Sequence, residues 1–386
     1  MKYAQAITAA AWALLPATLA APAEGTHKRA ISSIVSGTPM GFASGTTGGG
    51  DAATVYPTTV DELKSYLTSA EPQNIVISGT FNFQGTEGTK VVDACDAYPC
   101  TTSNGGQALL NTLGGCGSIA TYSVSIDAAA YNPIYVASDK TLVGKDNAVL
   151  YGKGLRFSDV SNIIIQNVAI TNLNPAYVWG GDAIAITDSS NIWIDHVTTS
   201  YLGRQHYAFG TGASSGVTIS NSFLNGETSN SASCDGHTYW GLELVGSDDT
   251  ITFYQNYVYM TSGRTPALSG NTLFHAVNNV WSSNSGHMLE GTDTGKGLYE
   301  GNYIVDAPTV VQSGFVGSLF TSDASVASQC AAYLGRNCVP NTLVNSGAFS
   351  YSDSSFLSLF SGKSIPAAAS AASIESSVPA AAGNRL

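Results

Sequence analysis

Three charged residues in the middle of the chain each follow a glycine and are the first candidates for chemistry. Asp182 lies in VWGGDAIAI, Arg204 in YLGRQHYAFG and Arg264 in YMTSGRTPALSG. Glycine lets the backbone turn tightly and approach a ligand closely, so these side chains suit the edge of a binding groove. The chain has only six arginines, and two of them occur in this setting. Guanidinium groups so placed can stabilise negative charge that develops on a bound substrate.

A repeating pattern surrounds these residues and indicates how they are positioned. From about residue 140 onward, alternating or apolar residues are followed by a polar residue, an Asn or His, and another β-prone pair. The units are NIIIQNVAI, NIWIDHVTT, GVTISNSFL, TITFYQNYVYM, TLFHAVNNVWS and GLYEGNYIV. The anchor residues are Asn167, His196, Asn221, Asn256, Asn279 and Asn302. They lie roughly 23 to 35 residues apart, which is a solenoid period.

The composition of each unit predicts an all-β fold, a parallel β-helix. β-branched and aromatic residues indicate strands, and clusters of Gly, Asn, Asp and Ser between them indicate turns. Asparagines stacked in successive coils can hydrogen-bond to one another and to the turn backbone. The alternative, a β-sandwich, requires hairpins every 8 to 12 residues, a pattern that is weaker here. A solenoid presents functional side chains on one face, so we expect the three charged residues to share a groove.

Charge and composition exclude several classes of partner. The chain has 27 acidic and 15 basic residues, a net charge of -12, and only 11% charged residues overall. Nucleic acid and anionic membranes are poor partners for such a surface. Beyond the first twenty residues, the sequence has no apolar run long enough for a membrane helix.

The two ends of the chain differ from the repeats. Residues 1–20 combine an early lysine, a short apolar run and small residues near Ala20, which predicts a signal peptide and an extracellular protein. Processing after the dibasic pair Lys28-Arg29 is an open alternative for the mature N-terminus. The apolar spacing in 57–70 predicts a helix that caps the open end of the solenoid. We expect the β-helix domain to span 30–363 and the Ala/Ser-rich tail, 364–386, to be a weakly ordered arm.

The even number of cysteines favours disulfides over metal ligation in a secreted chain. The six are Cys95, Cys100, Cys116, Cys234, Cys330 and Cys338, and no pair of them has CxxC spacing. Fifteen pairings are possible from the sequence alone. Cys330 and Cys338 are isolated near the C-terminus, so we expect them to close a local loop.

Several long motifs in a fixed order resemble the fungal pectin lyases of the pectate lyase superfamily. The three charged segments occur together with WIDHV, HYWGLEL and NTLFHAVNNVWSSNSGH, and the likeness runs from GFASGTTGG to YEGN. The resemblance implies a right-handed parallel β-helix and disulfides that join Cys95 to Cys116, Cys100 to Cys234 and Cys330 to Cys338. It also implies that Trp179 and Trp240 line the cleft, where sugar rings could pack on their faces.

The same resemblance implies catalytic roles for the three charged residues. The family pattern makes Arg264 the essential arginine, which abstracts a proton, with Asp182 and Arg204 as its companions in the cleft. Proton abstraction conflicts with the ordinary arginine pKa of about 12.5 to 13.8. The implied reaction is β-elimination on highly methyl-esterified homogalacturonan, the pectin substrate, by a monomeric enzyme.

The resemblance also implies that no metal or cofactor takes part. In pectate lyases, acidic residues of this groove bind calcium, whereas here Arg204 and Ala208 stand at such places. A fixed cation suits a methyl ester, which offers no carboxylate for calcium to bridge. The histidines have no zinc-type spacing with a Cys or a carboxylate, so they predict no metal site. Two alternatives stay open, a calcium-dependent pectate lyase and a β-solenoid that binds pectin without cleaving it.

The chain departs from the family pattern at three places. Pectin lyases commonly have a lysine where Ala267 stands, and pectate lyases an arginine where Ser269 stands. A further cleft aromatic, three residues after Trp240, is Glu243 here.

A glycoside hydrolase would need clustered acids, for which Asp248-Asp249 alone is weak evidence.

Overall fold

Short strands wind into successive parallel coils, as the repeats predict. The structure, a computed structural model, describes residues 30–386. The predicted signal peptide (1–20) and the Lys28-Arg29 pair lie outside the described residues. No helix of the described residues is long and apolar enough to cross a membrane.

The secondary structure of residues 30–386 consists mainly of strands. The strands are β1 Thr54–Val55, β2 Gln73–Asn82, β3 Thr89–Cys95, β4 Ala108–Leu110, β5 Tyr122–Asp127, β6 Ile134–Tyr135, β7 Lys140–Tyr151, β8 Leu155–Ser158, β9 Ser161–Gln166, β10 Ala169–Leu173, β11 Tyr177–Val178, β12 Ile184–Thr187, β13 Ser190–Asp195, β14 Thr198–Leu202, β15 Tyr207–Phe209, β16 Ser215–Ser220, β17 Phe223–Asn225, β18 Leu242–Leu244, β19 Thr250–Tyr254, β20 Tyr257–Tyr259, β21 Ala267–Leu268, β22 Leu273–Val277, β23 Val280–Ser282, β24 His287–Leu289, β25 Thr292–Glu300, β26 Tyr303–Val305, β27 Thr309–Val311, β28 Val316–Thr321 and β29 Thr342–Val344. The α-helices are α1 Val60–Thr68, α2 Ala128–Tyr131, α3 Ala331–Leu334, α4 Ala371–Ile374 and α5 Ser377–Ala381. Short 3-10 helices span Gly41–Ala43, Thr102–Asn104, Thr112–Gly114, Ala327–Cys330 and Leu357–Phe360.

Three parallel faces enclose one long core. The first face contains β9, β13, β16, β19, β22, β25 and β28, the second β10, β14, β17, β20, β23, β26 and β29, and the third β6, β8, β12, β15, β18 and β21. Strand β7 is long enough to turn the corner, because it pairs with β9 on the first face and with β10 on the second. Inward positions stack in register from coil to coil. One such buried column contains Ile163, Ile192, Val217, Ile251 and Phe274.

A buried amide ladder runs along the corner between the first two faces. Asn256 Nδ2 donates to Asn279 Oδ1 at 3.0 Å, and Asn279 Nδ2 donates to Asn302 Oδ1 at 3.1 Å. Asn302 continues the ladder to Asn341 at 2.9 Å. Each of these Oδ1 atoms also accepts the backbone N–H of the preceding asparagine in the ladder. Stacked asparagines therefore satisfy turn groups that would otherwise be buried without partners.

The anchor residues do not all lie in this ladder, and the predicted single register is wrong by one residue. Strand pairing aligns Ser220 with Tyr254, which puts Gln255 and not Asn256 beside Asn221. Asn221, like Asn167, occupies the position before the ladder, where the backbone φ is positive (48° and 59°). Asparagine tolerates this left-handed conformation better than most residues. The same residue type therefore serves two adjacent positions for two different physical reasons.

The predicted capping helix is present as α1. Thr59 and Glu62 form a reciprocal capping box at its start, in which each side chain accepts a backbone N–H of the other residue. Leu63 and Leu67 are fully buried and join the main core. The helix thus covers the apolar end of the first coils.

The prediction of a weakly ordered C-terminal arm is wrong. Residues 364–386 contain α4 and α5 and lie against the second face. Ile374 and Val378 are buried beside β23 and β26, and the backbone N–H of Leu386 donates to Asn167 Oδ1 at 3.0 Å. A few well-placed apolar residues and backbone hydrogen bonds to the buried turn amides of Asn167 and Asn278 hold this segment, which its composition alone did not indicate.

The disulfides are those that the resemblance implies. They join Cys95 to Cys116, Cys100 to Cys234, and Cys330 to Cys338. The first lies inside a side lobe formed by β3, β4, β5 and β11, in which β3 runs antiparallel to β4 and β5. The second ties this lobe to the loop between β17 and β18. This loop carries one wall of the candidate site.

Candidate active site

The outer surface of the third face forms the floor of a groove. One outward column of this face consists of Arg156, Ala185, Ala208, Glu243, Ala267 and Glu290. Adjacent parallel strands lie about 4.8 Å apart, so these side chains form a continuous row. Alanines on both sides of Glu243 leave space for longer side chains that come from the turns. Asp182, Arg204 and Arg264 all lie in turns directly before strands of this face.

Arg204 is fixed on three sides. Its Nε and Nη2 atoms donate to the two carboxylate oxygens of Asp182, both at 3.0 Å. Nη2 also lies 3.0 Å from Glu243 Oε2, and the guanidinium stacks 3.7 Å from the ring centre of Trp179. Burial by itself lowers the pKa of Arg204, but the charges and hydrogen bonds of Asp182 and Glu243 outweigh it and raise the pKa. Arg204 is thus a fixed cation.

Arg264 is held by two carboxylates in a more open position. Its Nη1 donates to Glu243 Oε1 and its Nε to Glu290 Oε1, both at 3.0 Å. The side chain is 27% exposed, compared with 8% for Arg204. The backbone of Arg264 has a φ of 44°, in the left-handed region that non-glycine residues rarely adopt. Local backbone strain of this kind often marks functional positions.

Glu243 joins the two arginines. Its Oε2 lies 3.0 Å from Arg204 and its Oε1 lies 3.0 Å from Arg264, so one carboxylate bridges both guanidinium groups. The position follows from the register, since Glu243 pairs with Ala208 on one side and Ala267 on the other. The sequence identified Glu243 only as a missing aromatic. Its role as a bridge depends on strand register, which the sequence did not fix.

Glu290 organises the far side of Arg264. Its Oε2 accepts hydrogen bonds from the Tyr239 hydroxyl and pairs with His287 Nε2, both at 2.7 Å. Burial tends to raise the pKa of Glu290, but hydrogen bonds with His287 and Tyr239 and the charge of Arg264 outweigh it, so the pKa is lowered. Glu290 is therefore a firmly ionised partner for Arg264.

The two predicted cleft tryptophans have different environments. Trp179 is 41% exposed, and the guanidinium of Arg204 lies over its ring. Trp240 is only 9% exposed and packs in a small apolar cluster. The guanidinium carbon of Arg264 lies 5.1 Å from the Trp240 ring centre. Trp179 is thus available for sugar stacking, whereas Trp240 supports Arg264 from below.

Gln107 supports this arrangement from the side lobe and was missed by the sequence analysis. Its Oε1 accepts the indole N–H of Trp240 at 2.9 Å. Its Nε2 donates to the carbonyls of Pro175, at 2.7 Å, and Gly203, at 3.2 Å. Gly203 directly precedes Arg204, so one buried glutamine contacts both walls of the site. Its distance in sequence from every motif left no signal that could have identified it.

The structure brings the predicted charged residues together and leaves other candidates apart. Asp182, Arg204 and Arg264 surround Glu243. Asp249 is buried in the turn before β19, where it accepts the backbone N–H of Ser214 at 2.7 Å. The histidines pair mostly with nearby structural groups, and His287 alone among the described histidines contacts the charged cluster through Glu290. The roles of the site residues in catalysis stay predictions.

The donor set does not fit a calcium ion. Calcium takes six to eight oxygen ligands. Here Asp182 and Glu243 already share the guanidinium of Arg204, and the neighbouring floor position is Ala208. Within residues 30–386, no three His, Cys, Asp or Glu side chains form a group that could hold a metal ion. A calcium ion at this place would have to displace a buried, doubly paired cation.

Comparison with known proteins identifies the family of the chain. A family model described as pectate lyase matches residues 13–372. The chain belongs to the pectate lyase family. Within this family, it is similar to a protein named probable pectin lyase E from Aspergillus niger, with 67% identity over 92% of this chain and 97% of the relative. It is also 53% identical to a probable pectin lyase C from Emericella nidulans, over 91% of this chain and 95% of the relative.

A solved structure supports the fold. A pectate lyase from Bacillus sp. N165, in complex with trigalacturonate, aligns with a TM-score of 0.54 at 19% identity, over 89% of this chain and 98% of the other. At this identity the likeness shows the fold alone. The pectate lyase family member described here is a right-handed parallel β-helix, as the resemblance implied.

Proposed function

We propose that the protein is a secreted pectin lyase that cleaves methyl-esterified homogalacturonan by β-elimination without a metal ion. The observation that carries the proposal is the pair of guanidinium groups of Arg204 and Arg264, both bridged by Glu243 in an open groove. Relatives at 67% and 53% identity that are named probable pectin lyases support the same substrate.

The reaction needs a stabilised negative charge at the ester. A base takes the C5 proton and the electron pair left behind forms the C4–C5 double bond, while the C4–O bond breaks and the leaving oxygen takes a proton from solvent. Charge develops on the C6 ester oxygens in the transition state. Fixed guanidinium groups stabilise such charge without reorganisation. The ion pairs and stacking that hold Arg204 supply this fixed cation.

Arg264 is the residue that contacts the reacting centre in this proposal. Within residues 30–386, its Nε and Nη1 atoms donate to Glu290 and Glu243, and its side chain is 27% exposed, so the guanidinium stays accessible to a substrate. The family pattern gives Arg264 the proton-abstracting role. Its partial exposure and its place beside Arg204 support direct contact with C5 and the ester group.

An ester is the better substrate for this site on physical grounds. A free carboxylate already carries the negative charge that the transition state must develop, so its C5 proton is less acidic. The methyl ester brings no charge of its own. A fixed pair of guanidiniums therefore suffices where an ionised substrate would call for a metal ion.

Incubation of the purified protein with esterified and de-esterified pectin, each with and without a chelator, tests the proposal. We expect the absorbance of unsaturated uronate to rise fastest with esterified pectin and to be insensitive to chelator. Strong activation by calcium on de-esterified pectin would favour the pectate lyase alternative. Binding of pectin with no absorbance change would favour a non-catalytic solenoid.

We also propose that the enzyme is exported as a monomer after removal of residues 1–20, or of residues up to Arg29. Its net charge of -12 and the low fraction of charged residues suit an extracellular polysaccharide-degrading protein. N-terminal sequencing of the protein from culture medium, together with sedimentation analysis, tests this. A dimer, or a cell-bound protein with Met1 intact, would contradict it.

A further inference from the structure

The groove carries two kinds of cation that differ in their partners. Arg204 and Arg264 are both paired with two carboxylates. Arg156, on the same outward column, has no carboxylate partner among residues 30–386. Its guanidinium carbon lies 5.9 Å from the ring centre of the exposed Tyr135. An unpaired guanidinium attracts an anionic ligand more strongly than a neutralised one does.

Arg156 faces the same trough as the candidate catalytic residues. A cavity of about 600 Å³ and an adjoining one of about 340 Å³ share Arg156, Trp179, Asp182 and Arg204 in their walls. The smaller cavity extends to Glu243. A chain of sugars bound along the third face would therefore pass both Arg156 and the arginine pair.

The cluster of Arg204, Arg264 and their carboxylate partners has a net charge opposite in sign to that of Arg156. The three carboxylates of Asp182, Glu243 and Glu290 surround the two guanidiniums of Arg204 and Arg264. These three carboxylates and two guanidiniums sum to one net negative charge. A carboxylate on the substrate is repelled there, while an uncharged ester is not. Glu243 contacts both arginines and therefore contributes most directly to this balance.

We infer that the groove recognises partly esterified pectin by charge. Arg156 binds a free galacturonate carboxylate, and Glu243 excludes such a carboxylate from the Arg204–Arg264 pair, which accepts the methyl ester. The inference rests on the proposed pectin lyase function and specifies its substrate, a chain with an ester at the cleaved sugar and an acid at a neighbouring one.

Two substitutions with opposite expected effects test this division. The quantity measured is the kcat/KM for half-esterified pectin divided by that for fully esterified pectin, at pH 8 with chelator present. Glu243→Gln removes the repelling charge, and we expect it to raise this ratio about tenfold. Arg156→Gln removes the attracting charge, and we expect it to lower the ratio about fivefold. Both shifts should shrink at high ionic strength because salt screens exposed charges.

Matched variants control for general charge and fold effects. Glu227→Gln and Lys145→Gln remove one charge of each sign from exposed positions outside the column, and we expect less than about a twofold change in the ratio. Glu243→Asp retains the charge, so it should keep the ratio near that of the unmodified enzyme even where the overall rate falls. Thermal unfolding of each variant identifies loss of fold.

The outcomes separate this inference from the proposed function. Cleavage of fully esterified pectin by the unmodified enzyme tests the function by itself. If cleavage occurs but both variants leave the ratio unchanged, or shift it in the same direction, the charge division is wrong. If cleavage is absent, calorimetric binding of the same two pectins gives the corresponding ratio of affinities, and the same opposite shifts would support the inference without the activity.

Discussion

The β-helix has two stacked columns of polar side chains with the same coil-to-coil spacing, and the two columns serve different purposes. The amide ladder of Asn256, Asn279 and Asn302 is fully buried and uncharged, and each member is hydrogen-bonded to the next. The charged pair of Arg204 and Arg264 lies in an open groove, where the carboxylates that hold it leave part of the guanidinium surface accessible.

The difference shows which polar stacks serve the fold and which serve chemistry. A buried neutral ladder satisfies backbone groups and costs stability when broken, but it has nothing to offer a ligand. The ion pairs of a partly exposed residue such as Arg264 contribute little to stability, since solvent and salt weaken them. Mutation of the charged pair should therefore mainly lower activity, whereas mutation of the amide ladder should mainly lower stability.

The largest expected effect is on activity, from Arg264→Lys. Lysine keeps the positive charge but loses the planar fork that contacts both Glu243 and Glu290 in a partly exposed position. We expect kcat to fall by about a thousandfold with little change in KM or in the unfolding temperature. Initial rates on esterified pectin and a thermal melt measure both. An active variant that melts early would show that Arg264 is structural.

Next in size is a stability effect, from Asn279→Ala. The change removes the acceptor for two Asn256 donors and the donor to Phe253 O, all buried. We expect the free energy of unfolding to fall by roughly 3 to 4 kcal/mol, with kcat/KM unchanged at a temperature where the variant is folded. Urea denaturation measures the first quantity. The exposed Asn337→Ala is the matched control, and an equal loss there would contradict a special role for the ladder.

The coiled fold behind this comparison could be predicted from the sequence, but the register of the asparagines could not. β-prone units with recurrent asparagines were enough for the coil, because stacked coils need apolar interiors and satisfied turns. Asparagine favours both the left-handed position of Asn221 and the ladder position of Asn256, so pattern alone could not separate the two registers. The strand pairs that fix register, such as Ser220 with Tyr254, were needed to do so.

Prediction of the candidate site from the sequence was limited in the same way. The charged residues of the turns carry local motifs, so Asp182 and Arg204 were identified from sequence. Glu243 and Gln107 act through contacts between distant segments, which no local pattern encodes. The packed C-terminal tail was mispredicted for a related reason, since backbone N–H groups such as that of Leu386 bind regardless of composition.

A third prediction sharpens the comparison with a charged group that serves the fold. Glu300 is fully buried and pairs with His275 at 2.8 Å and with both terminal nitrogens of Arg336. Burial tends to raise the pKa of Glu300, but the hydrogen bonds and charges of His275 and Arg336 outweigh it and lower the pKa to about 2. A buried charge can thus belong to the scaffold when it is completely paired.

The sign of the pH dependence follows from that lowered pKa. The stabilisation by ionised Glu300 is complete above the unfolded value near 4.5 and is lost as the pH falls toward 2. Its size is on the order of 3 kcal/mol. We expect the stability difference between the unmodified protein and Glu300→Gln to shrink by this amount between pH 6 and pH 2, measured by urea unfolding. The exposed Asp293→Asn should give a difference that hardly changes with pH, and a parallel pH profile for Glu300→Gln would refute the assignment.

The smallest effect concerns Gln107, which connects scaffold to site. Gln107→Met keeps the volume but removes the acceptor for Trp240, whose ring supports Arg264 from 5.1 Å. A small displacement of Arg264 weakens contacts made in the transition state, so we expect kcat to fall about fivefold with KM little changed. The exposed Gln329→Met controls for the substitution itself.

A double-mutant cycle decides whether Gln107 acts through Arg264 or only through stability. Residues that act as one unit have non-additive effects. If Gln107 positions Arg264, then Gln107→Met should reduce kcat far less in the Arg264→Lys background than in the unmodified enzyme. An equal fivefold loss in both backgrounds would mean that Gln107 affects the groove by another route. The position of Arg264 would then not depend on the side lobe, despite the hydrogen bond of Gln107 to Trp240. The buried scaffold and the open site would in that case be more independent of each other.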